Sequence, residues 1–304
     1  MVIRSTGYRS QVRLEDGSII DCAIRGKFRI KGIKATNPVA VGDHVDISMP
    51  GEGEELGYIH TIHDRDNYIL RRAIGEPHKV HVLAANVDQA ILLYTVSTPH
   101  TTTGFANRFL IIAEAFHIPV RIIFNKTDLI NTADLKARHA EIKQLYETIG
   151  YPTHSVSALD EGYREEMEDI LKDKISFIGG HSGAGKSTLI NLVDPDLNIR
   201  TGDVSDSNSK GRHTTTFAEM HPLRTGGYII DSPGIKEMGV TVFDDKYELS
   251  HYFPEMRERL NDCKFNDCMH LKEPGCAVRA ALANGEIHPS RYNSYLSMLE
   301  EDID

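Results

Sequence analysis

The stretch Gly180-His181-Ser182-Gly183-Ala184-Gly185-Lys186-Ser187-Thr188 constrains this chain more than any other. It has the form G-x-x-x-x-G-K-S. It follows an apolar run, Ile175-Ser176-Phe177-Ile178, that reads as a buried strand, and precedes Leu189-Ile190-Asn191-Leu192, which reads as the start of a helix. That strand–loop–helix setting is what a phosphate-binding loop needs. Glycines let successive backbone N–H groups turn inward around phosphate oxygens, and the helix N-terminus adds its positive dipole end. Lys186 is expected to reach the β- and γ-phosphates, and Ser187 to give its hydroxyl to Mg²⁺. The competing reading is a chance glycine-rich turn.

Upstream, strands and helices alternate. Gln89–Val96 is a nearly continuous apolar run, as a parallel strand covered on both faces requires. Residues 104–117 read as a helix, Val120–Phe124 as a strand and 133–150 as a helix closed by Gly150 and Pro152. A short strand over 153–157 and a helix ending near Lys172 follow. The pattern predicts a doubly wound α/β domain over residues 76–240.

At the end of the Val120 strand stands Asn125-Lys126-Thr127-Asp128. The Asp128 carboxylate can accept both the N1–H and the exocyclic amine of guanine, and adenine offers neither there. Asn125 can bond the N7/O6 side and brace neighbouring loops, and the Lys126 stem can lie along the ring. A wrong base would leave Asp128 buried and unpaired, so discrimination is expected to be strong. Alone, four such residues are often a turn; beside a phosphate loop they point to a guanine nucleotide. Ser157-Ala158 fits a second base loop, with a backbone N–H on guanine O6. Ile229-Ile230-Asp231-Ser232-Pro233-Gly234 is a strand ending in D-x-x-G, where Asp231 would hold Mg²⁺ through water and the Gly234 N–H would meet the γ-phosphate. The polar stretch 199–216 ends in Gly211-Arg212-His213-Thr214-Thr215-Thr216 and reads as a switch. One of its three threonines, Thr215, is expected to bind Mg²⁺. Ile235 stands where a water-orienting Gln is common, so slow intrinsic hydrolysis is expected. His213 is either its replacement or a structural switch residue.

The order of these parts is unusual. The base-reading loops precede the phosphate loop, so the domain reads as circularly permuted, and its D-x-x-G strand opens into the C-terminal segment.

Residues 1–72 carry short alternating runs and turn signals, with Asp16-Gly17 between two of them as a hairpin signal. About five strands in an OB-type β-barrel are predicted. Arg4, Arg9, Arg13, Arg25, Lys27, Arg29, Lys31 and Lys34 outnumber Glu15, Asp16 and Asp21 there. In Lys27-Phe28-Arg29-Ile30-Lys31 the alternation puts the bases on one face. Either this face contacts an RNA backbone or it is an ordinary solvated strand face. Net charge over the whole chain is −10, so contact with nucleic acid must come from such a local patch.

Of four cysteines, three fall within 263–276. Cys263-x₄-Cys268-x-His270-x₅-Cys276 offers three thiolates and an imidazole, a closed tetrahedral zinc set and therefore a structural one. Helices are expected over 247–260, 277–283 and 290–299, giving a small helical zinc-binding domain over residues 241–304 that is too small to hold itself without metal. Glu300 through Asp304 reads as a solvated tail. Cys22 reads as a buried core thiol. No apolar run approaches the ~20 residues that span a bilayer, and the start lacks a secretory signal's apolar core, so a cytoplasmic protein without membrane contact is expected.

Asn125–Asp128 ahead of the phosphate loop, the Gly211–Thr216 switch, Asp231-Ser232-Pro233-Gly234 and the Cys/His set occur together in this order. The combination closely resembles the ribosome small-subunit-dependent GTPase family (RsgA, also called YjeQ) over nearly the whole chain. The resemblance implies an OB-fold, a circularly permuted GTPase domain and a C-terminal zinc domain. It further implies GTP hydrolysis stimulated by the small ribosomal subunit, a part in late maturation of that subunit, and contacts with its rRNA. A GTP-gated rRNA-binding scaffold with incidental turnover is the alternative, and an ATP-using kinase a weaker one. A monomer is expected. The acidic balance is a departure from what an RNA-gripping protein suggests, and it bears on the C-terminal segment most.

Overall fold

The computed structural model describes residues 1–24, 37–51, 55–73, 76–199, 218–231 and 246–300, and of 71–80 the backbone only. Arg25, Lys27, Phe28, Arg29, Ile30, Lys31 and Lys34, from the basic stretch, lie outside the described residues, as does the tail from Glu301 to Asp304.

The first five strands are β1 (Val2–Ser5), β2 (Arg9–Arg13), β3 (Ile19–Ile24), β4 (Val45–Ser48) and β5 (Gly57–Ile62). They run in the order β1-β2-β3-β5-β4, with β3 and β5 parallel and the other pairs antiparallel. In β2, Ser10 and Val12 point inward while Arg9 is exposed, the period of two that a strand dictates. Val2, Val12, Cys22, Val39 and Ile59 form the barrel core. The β2–β3 turn falls on Asp16-Gly17, where Gly17 has φ 86°. Val2 closes the barrel by bonding the segment before β4: its N–H donates to Asp43 O and its carbonyl accepts from Gly42 N, both at 2.8 Å. Asp43 is fully buried and takes an Arg65 guanidinium at 2.6 Å and the Ala40 N–H at 2.8 Å, so its charge is met twice.

The hairpin of β6 (Tyr68–Ala73) and β7 (Glu76–Ala85) runs through the stretch that reads in the sequence as the barrel's exit. It packs on both sides. A Cβ on Gly42 would strike the Ala85 carbonyl, and Ile69, Leu83 and Ala84 belong to the large core of the following sheet.

That sheet contains β8 (Gln89–Tyr94), β9 (Val120–Phe124), β10 (Thr153–Ser155), β11 (Ile175–Gly180), β12 (Glu219–Pro222) and β13 (Tyr228–Asp231). Their order is β10-β9-β8-β11-β13-β12, parallel except for β12. Helices α1 (Thr103–Ala115), α2 (Ala133–Ile149), α3 (Arg164–Leu171) and α4 (Lys186–Val193) form the crossovers. All six residues of β8 are buried, and alternate residues serve opposite faces: Leu92 and Tyr94 join Phe109 and Leu110, while Ile91 and Leu93 join Leu189 and Ile190. α2 stops at Gly150, whose φ of 108° only glycine adopts cheaply. β12 also pairs β1 at Arg4 and Glu219, which lie 3.9 Å apart as an ion pair, so barrel and central sheet are continuous.

The C-terminal module holds a 3₁₀ stretch (Lys246–Tyr252), then α5 (Pro254–Arg257), α6 (Ala277–Ala283) and α7 (Pro289–Glu300). One helix over 247–260 is the sequence expectation; Pro254 has no N–H to donate and divides it. α7 lies against α1 around a buried polar cluster. Arg291 is fully buried, bonds Glu255 through Nε (2.6 Å) and a terminal nitrogen (3.1 Å), and donates to Asn107 Oδ1 at 3.0 Å. Asn107 also accepts from the Tyr146 hydroxyl (3.1 Å) and donates to Ser294 Oγ (2.8 Å). Removing one partner strands a buried charge. Arg291→Met is therefore expected to cost about 3–5 kcal/mol, and Arg291→Met with Glu255→Leu much less, as urea unfolding would measure. Equal losses in both variants would contradict this account.

Candidate nucleotide site and Cys/His cluster

β9, β10, β11 and β13 run parallel and end at the same sheet edge, and the candidate nucleotide motifs follow them there. Open α/β sheets bind ligands at this edge. The phosphate-loop residues 180–188 connect β11 to α4, with Lys186, Ser187 and Thr188 in the helix's first turn. Gly185 has φ 98°, and a Cβ there would overlap Asn125 Nδ2. The close approach has a purpose. Asn125 Nδ2 donates to the Ala184 carbonyl at 2.8 Å, and Asn125 Oδ1 accepts from the Ala158 N–H at 3.0 Å. One buried side chain thus ties the 180–188 loop to the Ser157-Ala158 loop.

Lys186 Nζ donates to the carbonyls of Gly180 (3.0 Å) and His181 (3.1 Å). Burial pulls its ammonium below the ordinary lysine value, with the Asp231 charge opposing. A desolvated cation gains more from a phosphate oxygen than an exposed one would. Asp231 ends β13, opposite Ile178 of β11. His181 stacks its ring on Phe105, with centroids 4.0 Å apart. Ser182 and Gly183 are exposed.

Lys126 adopts a left-handed conformation (φ 62°, ψ 41°) that starts the 3₁₀ turn Thr127–Leu129. Its Nζ reaches the Thr98 carbonyl at 3.0 Å, and the Thr127 N–H bonds Val156 O. Asp128 Oδ1 accepts from the Ser157 hydroxyl at 2.6 Å. The structure therefore gathers Asn125, Lys126, Thr127, Asp128, Ser157, Ala158, residues 180–188 and Asp231 at one edge. His213, Thr215 and Gly234 lie outside the described residues, with Thr214, Thr216, Ser232, Pro233 and Ile235. Sequence reasoning does not find Thr98, Phe105 or Pro99. Pro99 would lie 3.5 Å from a Cβ on Gly183, yet nothing in the spacing of its loop marks it.

Cys263, Cys268, His270 and Cys276 bring their donor atoms within 4.8 Å of one another. His270 Nδ1 lies 3.7 Å from Cys263 Sγ and 3.4 Å from Cys276 Sγ. A tetrahedral zinc with ~2.3 Å bonds to sulfur has edges of roughly 3.8 Å, so the donor set fits a structural ion in number, kind and spacing. Backbone N–H groups of Ala277 and Arg279 point at Cys263 and Cys276 Sγ, each at 3.4 Å. Burial pushes the Cys268 thiol up to about 12 and raises Cys276 as well. A cation among the three sulfurs is the natural means of ionising them. The surrounding shell was not legible in the sequence. Tyr292 and Tyr295 donate to the His270 and Met269 carbonyls (2.6 and 2.9 Å), and the Glu273 carboxylate accepts from the N–H groups of Met269, Leu271 and Lys272. Burial would raise Glu273, but those backbone donors outweigh it and hold it below the ordinary value. Among the described residues, no helix is long and apolar enough to cross a membrane.

The RsgA GTPase family profile matches residues 62–241, and the RsgA N-terminal domain profile residues 1–59. Small ribosomal subunit biogenesis GTPase RsgA of Phocaeicola vulgatus is 48% identical over 301 residues, covering 99% of this chain and 96% of the relative. The protein of that name from Bacteroides fragilis is 47% identical over the same coverage. Among solved structures, YjeQ from Thermotoga maritima superposes with a TM-score of 0.76 at 34% identity, covering 99% of this chain and 96% of that one. YloQ, described as a circularly permuted GTPase, gives 0.72 at 30% identity, covering 99% and 93%. With its two family profiles, these relatives and a parallel sheet that carries Asn125–Asp128 and Ser157-Ala158 ahead of the 180–188 loop, the chain belongs to the RsgA family of circularly permuted GTPases and is itself a GTPase.

Proposed function

We propose that this GTPase acts in biogenesis of the small ribosomal subunit, where binding the subunit stimulates GTP hydrolysis. Nucleotide state would set affinity for the subunit, and hydrolysis would release the protein, making it a late checkpoint. The observation that carries the enzymatic part is Asn125, whose side chain joins the phosphate loop to the second base loop. The ribosomal part rests on the names of relatives such as the Phocaeicola vulgatus protein.

In this reading Asp128, Asn125, Lys126 and Thr127 hold guanine together with Ser157 and Ala158. Residues 180–188 cradle the phosphates, and Lys186 neutralises charge on the β- and γ-oxygens. Ser187, Asp231 and Thr215 serve Mg²⁺, and the Gly234 N–H serves the γ-phosphate. Mg²⁺ would supply charge neutralisation across the phosphates. Cys263, Cys268, His270 and Cys276 hold one structural zinc. The domains run 1–72, 76–240 and 241–304, and the barrel and zinc domain meet rRNA. The protein works in the cytoplasm, as a monomer.

Ile235 favours a second reading. An apolar side chain cannot orient water, so turnover could be incidental to a GTP-gated rRNA-binding scaffold. GTP turnover with and without small subunits separates the two, with large subunits and ATP as controls. We expect acceleration on the order of 10³-fold, specific to the small subunit and to GTP, as a partner-supplied group can give. Slow turnover with every partner, alongside tight GTP binding, would leave the scaffold. If that acceleration is found, His213→Ala is expected to lose the stimulated rate.

A further inference from the structure

α1 touches both the phosphate loop and the C-terminal module. At its start, Thr102 Oγ1 caps the Phe105 N–H, and the Phe105 ring stacks on His181 with centroids 4.0 Å apart. Three positions spaced one helical turn apart then face the other way: Asn107, Ile111 and Glu114. Asn107 bonds Arg291 and Ser294 of α7, Ile111 belongs to the core of the C-terminal module, and Glu114 pairs with Arg257 at 3.2 Å. The same helix therefore reads the P-loop at one end and is fixed to the Cys/His module along its length.

The loop has a reason to move. Lys186 Nζ is bonded to the Gly180 and His181 carbonyls. An ammonium drawn toward a β-phosphate oxygen changes its hold on the His181 peptide, and the His181 ring sits face to face with Phe105. Phe105 is half-buried and packs against the large core of the central sheet, and side chains held in this way transmit such shifts because they have few alternative places to go.

We infer that Phe105 is a positioning residue for the phosphate loop, acting through His181, and that this stack couples nucleotide binding to the C-terminal metal module. The inference rests on the nucleotide-site reading above. The alternative route is covalent, through the chain that joins Asp231 to Lys246.

The test uses the full-length, zinc-loaded protein. Amide hydrogen exchange over residues 289–300 is followed with and without saturating GDP·Mg²⁺, in the wild type and in Phe105→Leu. Leucine keeps apolar bulk and helix propensity but has no ring to stack. GDP affinity is measured alongside. In the wild type we expect nucleotide to change exchange in α7 by about five- to tenfold, within the usual range of allosteric coupling. In Phe105→Leu we expect nucleotide still to bind and the α7 response to fall to less than half. His181→Ala, approached from the loop side and read at saturating nucleotide, should lose the response likewise. A full α7 response in both variants would overturn the inference and assign the coupling to the covalent route. A wild type that binds nucleotide with no α7 response would overturn it too. A wild type that binds no guanine nucleotide would instead overturn the site reading beneath it.

Discussion

Asp128→Asn is expected to lower GTP affinity on the order of 10⁴-fold and to raise affinity for xanthosine triphosphate. The carboxylate offers acceptors only, and guanine presents two donors side by side, its N1–H and its amine. Asn replaces one acceptor by an NH₂ group that faces the guanine amine, donor to donor. Xanthine has a carbonyl where guanine has that amine, so the NH₂ of Asn finds an acceptor. The structure makes this a clean substitution. Asp128 Oδ1 already takes the Ser157 hydroxyl at 2.6 Å, and a hydroxyl can donate to the Asn carbonyl or accept from its NH₂. The loop is also held independently, by the Thr127 N–H on Val156 O and by Lys126 Nζ on Thr98 O. The shift in base preference is therefore expected without loss of fold. Competition binding of GTP, XTP and ATP measures it. GTP affinity unchanged within threefold would remove Asp128 from the base site.

Local structure was legible where it is written in contiguous residues. The phosphate loop needs its glycines in sequence, and Gly185 shows why: its neighbour Asn125 leaves no room for a Cβ. β9 was legible to the residue because Val120, Ile122, Ile123 and Phe124, broken only by Arg121, stand between a helix and a turn. α6 and α7 were legible from their apolar spacing. What joins the parts was not. β1 and β12 are four residues each and meet at one residue pair across more than two hundred positions, leaving no periodic mark in either segment. Arg291 stands in α7 like any surface arginine, and only its burial against Glu255 and Asn107 distinguishes it. The 68–85 hairpin was missed because its first strand, Tyr68–Ala73, follows a turn-rich stretch that also suits a chain leaving the barrel. Long-range contacts of this kind are decided by packing, which propensity and spacing do not encode.

Cys276→Ser is expected to unfold the C-terminal module and abolish its zinc. Two roles of this residue must be separated. Cys276 is a metal donor candidate, and it is also the N-cap of α6, with Sγ accepting the Arg279 N–H at 3.4 Å. Serine is among the better N-caps, so the substitution leaves capping intact or improves it. A loss of structure would then belong to the metal alone. Its size should be large. The module's core is small, and structural zinc contributes apparent free energies of about 10–16 kcal/mol in finger peptides at neutral pH. Two observations show how much hangs on the cluster. His270 is buried in a left-handed conformation (φ 57°), and its carbonyl and that of Met269 are held by Tyr292 and Tyr295 of α7. Losing the cluster therefore frees α7's inner face as well as the ligand loops. Elemental analysis should find one zinc per chain in the wild type and much less in the variant, and amides of residues 263–283 should lose exchange protection. Chelation of the wild type should reproduce the effect. The central sheet carries its own two cores and should stay folded. A wild type that keeps module protection after complete removal of zinc would show that the tyrosine and glutamate contacts suffice, and that the ion held by the four donors is not needed for the fold.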